Sequence, residues 1–185
     1  MPDTLLTVTR RVDPLDHIGH DPRSLYAEPF WLGHLGPSSL WLLRLFAHHF
    51  DTTDTFTIDI DIDIDIAHVA QTIGLSSSLS RLRKTIERLE RFALLTTTEV
   101  TTLAVRSALP WLPVADVHRL PDTLRIEHQH AVDEFTTTHP ADAELRDIAA
   151  HVASMRRRGT GTTVIAQVLS SWNVSPDTAT AVLAA

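Results

Sequence analysis

The 185-residue sequence has no cysteine and a single lysine, Lys84, among its sixteen basic residues. Without cysteine, disulfide frameworks, thiolate zinc sites and thiol nucleophiles are excluded, and a reducing compartment is allowed. No stretch approaches the ~20 uninterrupted apolar residues that a membrane span needs. Residues 1–12 carry Arg10 and Arg11 with no apolar run behind them, so no secretory leader is expected. No Ser/His/Asp or paired-carboxylate pattern stands out. These absences predict a cytoplasmic chain that is not an enzyme, needs no cofactor and does not engage a membrane.

What is present is ordinary globular material, 43% hydrophobic, in which a sizeable core can be buried. The net charge of −7 is unevenly spread. Residues 1–65 hold 4 Arg against 11 acids, residues 66–113 hold 6 Arg and Lys against 3, and residues 114–185 hold 6 Arg against 9. The middle third alone is net basic, and the placement of charge bears on a polyanionic partner more than its sum does.

Along the chain, residues 1–37 are rich in Pro, Asp and Gly and predict an extended arm with a short helix near 27–32. Ser38 or Ser39 is placed to cap a helix to about Phe50. Residues 56–65 read FTIDIDIDID, a period-two alternation that specifies a strand with Ile58, Ile60 and Ile62 on one face. Asp63 or Asp65 then caps a helix ending at Gly74. A second helix spans 78–92, with Leu79, Leu82, Ile86 and Leu89 forming one apolar ridge. Two short β runs follow at 94–98 and 101–107. The remainder predicts helices at 121–135, at 141–158, after Gly159-Thr-Gly-Thr-Thr163 to about Trp172, and from Pro176 to the end, with 136–140 as a linker.

Helix, strand, helix, turn, helix, hairpin is the order of a winged helix-turn-helix. The run Ile66-Ala-His-Val-Ala-Gln-Thr-Ile-Gly-Leu-Ser76 resembles the first half of that motif, with Ala70 and Gly74 four apart where close helix contact and a left-handed turn are needed. Ala93-Leu94 falls where such domains leave the recognition helix for the wing. The architecture is also similar to that of actinobacterial proteins of uncharacterised function, a likeness that adds no mechanism. Two features depart from the pattern. The turn after Gly74 is about two residues long for the motif, and the wing, 96–102, carries Glu99 and no Arg or Lys, which puts its role as a backbone clamp in doubt.

The resemblance implies a mainly α fold with a small β-sheet and wing. Its parts are an arm at 1–37, a winged helix-turn-helix domain at 38–113, a connecting helix and linker at 114–140, and a small C-terminal helical segment at 141–185. It also implies double-stranded DNA as partner, a transcription-regulating role in the nucleoid, and a homodimer reading two half-sites. The residues it places on the DNA are Ser77, Ser78, Ser80, Arg81, Arg83 and Lys84 near the start of the recognition helix, with Arg88 and Arg91 further along for the phosphate backbone. The bland reading is a solvated amphipathic helix with Glu87–Arg91 as an i,i+4 pair. The rival function is protein assembly through a winged helix without DNA, which the overall acidity and uncharged wing permit.

Other clusters are read more cheaply. Asp59, Asp61, Asp63 and Asp65 resemble the start of a calcium loop, but Ile64 and Ala70 stand where its Gly and Glu belong. Glu127, His130 and Glu134, with His128 nearby, lack cysteines or an HExxH pattern and read as solvated side chains. Arg156-Arg-Arg-Gly-Thr-Gly-Thr-Thr163 lacks a P-loop's lysine, spacing and preceding strand, and reads as a helix C-cap. Residues 165–183 resemble a second helix-turn-helix, but their would-be recognition helix has Asp177 and no cation, so a core-completing or protein-contact hairpin is expected. Residues 141–185 are expected to bury their apolar faces on the winged domain or on a second chain.

Overall fold

A computed structural model describes residues 5–59, 79–99 and 101–185. The fold is mainly helical with a small four-stranded mixed sheet. The chain divides into two units, one of residues 1–12 and 21–109, the other of residues 13–20 and 110–185.

In the first unit the strands β1 (Leu5–Arg11), β2 (Thr55–Asp59), β3 (Leu95–Glu99) and β4 (Thr102–Arg106) lie in the order β2-β1-β4-β3. β1 runs antiparallel to β2 and parallel to β4. The extended arm predicted for 1–37 is thus corrected: its first part is an interior strand. Alternation explains the strand, because Leu6 and Val8 are buried while Thr7 and Thr9 lie on the opposite face. Val8 stands between Phe56 and Leu103 in register, so three strands contribute to one apolar row. Helices α1 (Ala27–Leu35) and α2 (Pro37–Phe50) belong to the same unit. Phe56 meets the rings of Phe46, Phe50 and His49 on α2, with centroids 5.9, 5.5 and 4.4 Å away.

α2 begins one residue before the predicted caps. Gly36 is its N-cap, with Pro37 on its first turn, and no side chain caps it. Helix α3 (Leu79–Arg91) falls within the helix predicted at 78–92, and the β3–β4 hairpin lies within a residue of the β runs predicted at 94–98 and 101–107. Between them Ala93 takes φ 55°, and the Leu94 N–H donates to Leu89 O at 3.0 Å, closing the helix in a left-handed turn. Of the strand predicted at 56–65, only its start is described. The first helix of the predicted motif, the turn after it, and Ser77 and Ser78 lie outside the described residues.

The second unit holds α4 (Val114–Val117), α5 (Asp122–Thr138), α6 (Ala143–Arg157), α7 (Thr162–Ser171) and α8 (Pro176–Ala184). α5 runs through most of the predicted linker, with Thr136, Thr137 and Thr138 bonding back to carbonyls one turn earlier. Ile148, Val152, Ile165, Leu169 and Val182 form one core with Leu15 and Ile18. The C-terminal helices therefore bury their apolar faces within their own unit, completed by an N-terminal segment that sequence alone assigned to the arm. Asp13 accepts the Leu15 N–H at 2.9 Å, and the Trp111 indole donates to Ile18 O at 2.7 Å, fixing that segment. Val164 and Trp172, expected among the apolar contacts, are about half exposed.

Candidate nucleic-acid interface

α3 is strongly amphipathic because its apolar residues recur at three- and four-residue steps. The ridge predicted as uniform is graded instead: Leu89 is fully buried, while Leu82 and Ile86 are half-buried. Phe92, just past the helix, meets the Trp31 ring of α1 edge-on at 5.9 Å.

The opposite face carries the cations. Arg83, Lys84, Arg88 and Arg91 are exposed, and Ser80 and Arg81 sit on the first turn of the helix. Arg83 Nε lies 3.2 Å from Glu87 Oε1, an i,i+4 pair with both side chains largely in solvent, which contributes little and opens readily. The pair read from sequence was Glu87–Arg91. Arg88 differs from its neighbours: its Nη1 donates to Leu35 O at 3.1 Å, the last carbonyl of α1, where a cation also meets the negative end of the helix dipole. Arg88 thereby joins α3 to α1, a structural duty that no spacing rule reveals. Lys84 and Arg88 both line a cleft against the first turn of α2.

The hairpin beside α3 has no basic residue in its turn. Thr96, Thr97, Thr98 and Glu99 are exposed, and Glu90 of α3 accepts from both the N–H and the hydroxyl of Thr97 at 3.2 and 2.7 Å, tying helix to hairpin.

In the second unit, two imidazoles and a guanidinium surround the Trp111 ring. His20 meets it edge-on at 4.3 Å and His128 at 6.1 Å, and the Arg146 guanidinium lies 5.5 Å from its ring. Burial pushes the His20 imidazole down to about 4, helped by the charge of His128, and His128 is lowered by burial and by Arg146. Arg146 donates to Val132 O and Thr136 Oγ1 at 3.0 and 2.8 Å. Nearby, Asp116 is buried and paired with Arg157 and Arg119. Of the α5 cluster, Glu127, His130 and Glu134 are exposed and only His128 turns inward. Among the described residues no three His, Asp or Glu side chains stand together to hold a metal ion, and no helix is long and apolar enough to cross a membrane. The Arg-rich segment after α6 forms a helix end in which Gly159 takes φ 80° and the Thr160 N–H returns to Met155 O.

No protein-family model matches the chain, and comparison with curated proteins and with solved structures likewise found no match.

Proposed function

We propose that the first unit is a winged helix-turn-helix module that binds double-stranded DNA through α3, and that the chain acts as a homodimeric transcriptional regulator at the nucleoid. One observation carries this reading: α3 buries Leu89 and turns Arg83, Lys84 and Arg91 to solvent on the one net-basic stretch of the chain. A helix of that form fits a major groove, with Arg or Lys reaching guanine edges or phosphates. The acid-free first turn of α2 lies on the same side as Lys84, at the cleft that both line, and adds to the positive field there.

The test is a mobility shift on a pool of random-sequence duplexes at two salt concentrations, with selection of retained sequences. The expected result is a retarded, salt-sensitive complex enriched in a two-fold-symmetric site. Absence of binding even at low salt would favour protein assembly through the threonine-faced wing instead.

A further inference from the structure

The first turn of α2 and the middle of α3 enclose a cleft of about 190 Å³. Its wall carries the hydroxyl residues Ser38, Ser39 and Thr85 beside the cations Lys84 and Arg88. Pro37 has no N–H and Gly36 has no side chain, so the N-cap position offers no side chain to the amides of Ser38 and Ser39. The first turn of α2 holds no acid, and among the described residues no carboxylate lines the cleft. Across from it stand Lys84 and Arg88, one helical turn apart. Two like charges at that spacing repel one another, and both face the positive end of a 14-residue helix. Leu35 O meets part of the Arg88 charge, and an anion among these groups would offset the rest.

A second observation points the same way. Ser39 is only 2% exposed, lines the cleft, and its hydroxyl makes no hydrogen bond to any described residue. A buried hydroxyl normally has a partner. Gly36 is also needed here, since a Cβ at that position would come within 2.7 Å of Arg88 Nη1. The glycine leaves room for the guanidinium, which Leu35 O holds at the rim.

We propose that this cleft binds a phosphate group, accepting hydrogen bonds from the Ser38 and Ser39 amides and the Ser39 hydroxyl, with Lys84 and Arg88 supplying charge. Its volume suits one phosphate with its ester substituent leaving through the mouth, and is small for a whole nucleotide. The proposal does not require that α3 read DNA: a free phosphate and a nucleic-acid backbone present the same tetrahedron.

The experiment is an amide-resolved NMR titration of the full chain with sodium phosphate, against sodium chloride at equal ionic strength, and separately with a short DNA duplex. Saturable shifts of the Ser38 and Ser39 amides with phosphate but not chloride are expected, at millimolar affinity. Lys84→Gln, whose exposed side chain leaves the core intact, should weaken binding at least five-fold, and Ser39→Ala should weaken it too. If phosphate and duplex both leave these amides unmoved, or if Lys84→Gln binds as tightly as the parent, the proposal is wrong. A duplex that shifts α3 amides while Ser38 and Ser39 stay still in both titrations removes the phosphate site and spares the DNA reading. Phosphate binding with no response to duplex does the reverse.

Discussion

A Cβ placed on Gly36 would stand 2.7 Å from Arg88 Nη1, so a side chain there would make the guanidinium shift from its place beside Leu35 O. Gly36 also has φ 75°, a conformation that L side chains adopt at a cost of ~1–2 kcal/mol. Gly36→Ala should therefore destabilise the protein by at least that amount in urea unfolding. Gly33→Ala, in the exposed interior of α1 with nothing near its added Cβ, should instead stabilise by about 0.5–1 kcal/mol. Equal effects at the two positions would refute the assignment.

Ala93 makes the complementary case. It holds φ 55° at the exit of α3 without the freedom of glycine. Ala93→Gly should raise stability by about 0.5–1 kcal/mol, the relief of strain outweighing the looser unfolded chain. A lower melting temperature would mean that the left-handed turn is not adopted in solution.

The cations of α3 should separate by duty. Lys84→Ala and Arg91→Ala, both exposed, should change stability by no more than about 0.5 kcal/mol and, if α3 contacts DNA phosphates, each flatten the log K against log[salt] slope by about 0.9. Arg88→Ala should cost about 1.5–3 kcal/mol of fold stability, because a charged hydrogen bond to Leu35 O is lost. Indistinguishable stabilities for the three variants would show that Arg88 is as free as its neighbours.

Burial on α3 should grade in the same way. Leu89→Ala removes a fully buried side chain and should cost about 2–5 kcal/mol. Ile86→Ala, at a half-buried position, should cost clearly less. A reversal of that order in urea midpoints would mean that the helix presents another face inward.

His20 gives the second unit a defined acid sensitivity. Its folded imidazole titrates at about 4 against an ordinary 6.5, so the fold favours the neutral ring. The stability this confers is whole above pH 6.5. It falls as pH drops from 6.5 towards 4, by up to about 1.4 kcal/mol per pH unit for one proton, and is flat below that. His128 is lowered as well and adds to the slope. Urea midpoints followed by tryptophan fluorescence should decline across this window, and His20→Gln should flatten the decline. A pH-independent midpoint between 6.5 and 4 would contradict the buried, neutral state of the ring.

Which elements were legible in the sequence follows from how local their causes are. α2, α3 and the β3–β4 hairpin are written in three- and four-residue or two-residue periods, and the structure places them within a residue or two of their predicted bounds. β1 was not read as a strand although Leu6-Thr-Val-Thr9 alternates, because its partners lie some 50 and 95 residues away and its flanks look irregular. Leu15 and Ile18 were missed as core for the same reason, their contacts being with helices at the far end of the chain. Of the expected DNA-facing residues, the charges were legible as an exposed face. That Arg88 is also held by Leu35, and that Ser39 shares a cleft with Lys84, depends on two helices meeting, which no single segment encodes.

The interior position of β1 has a consequence for how the molecule is made. Thr7 pairs with Thr102, so β1 must wait for some 95 further residues to be made before its parallel neighbour exists. Closing so long a loop carries a large entropic cost before any pairing repays it, and folding dominated by such pairings is slow. During that wait β2 can hold β1 on one side only. The β3–β4 hairpin, local in sequence, should form early and present β4 as the template that completes the sheet. Residues 13–20 meanwhile belong to the other unit, so neither unit is finished until synthesis has passed well beyond its first strand or turn. Loss of β1 should therefore split the sheet between β2 and β4 rather than trim its edge.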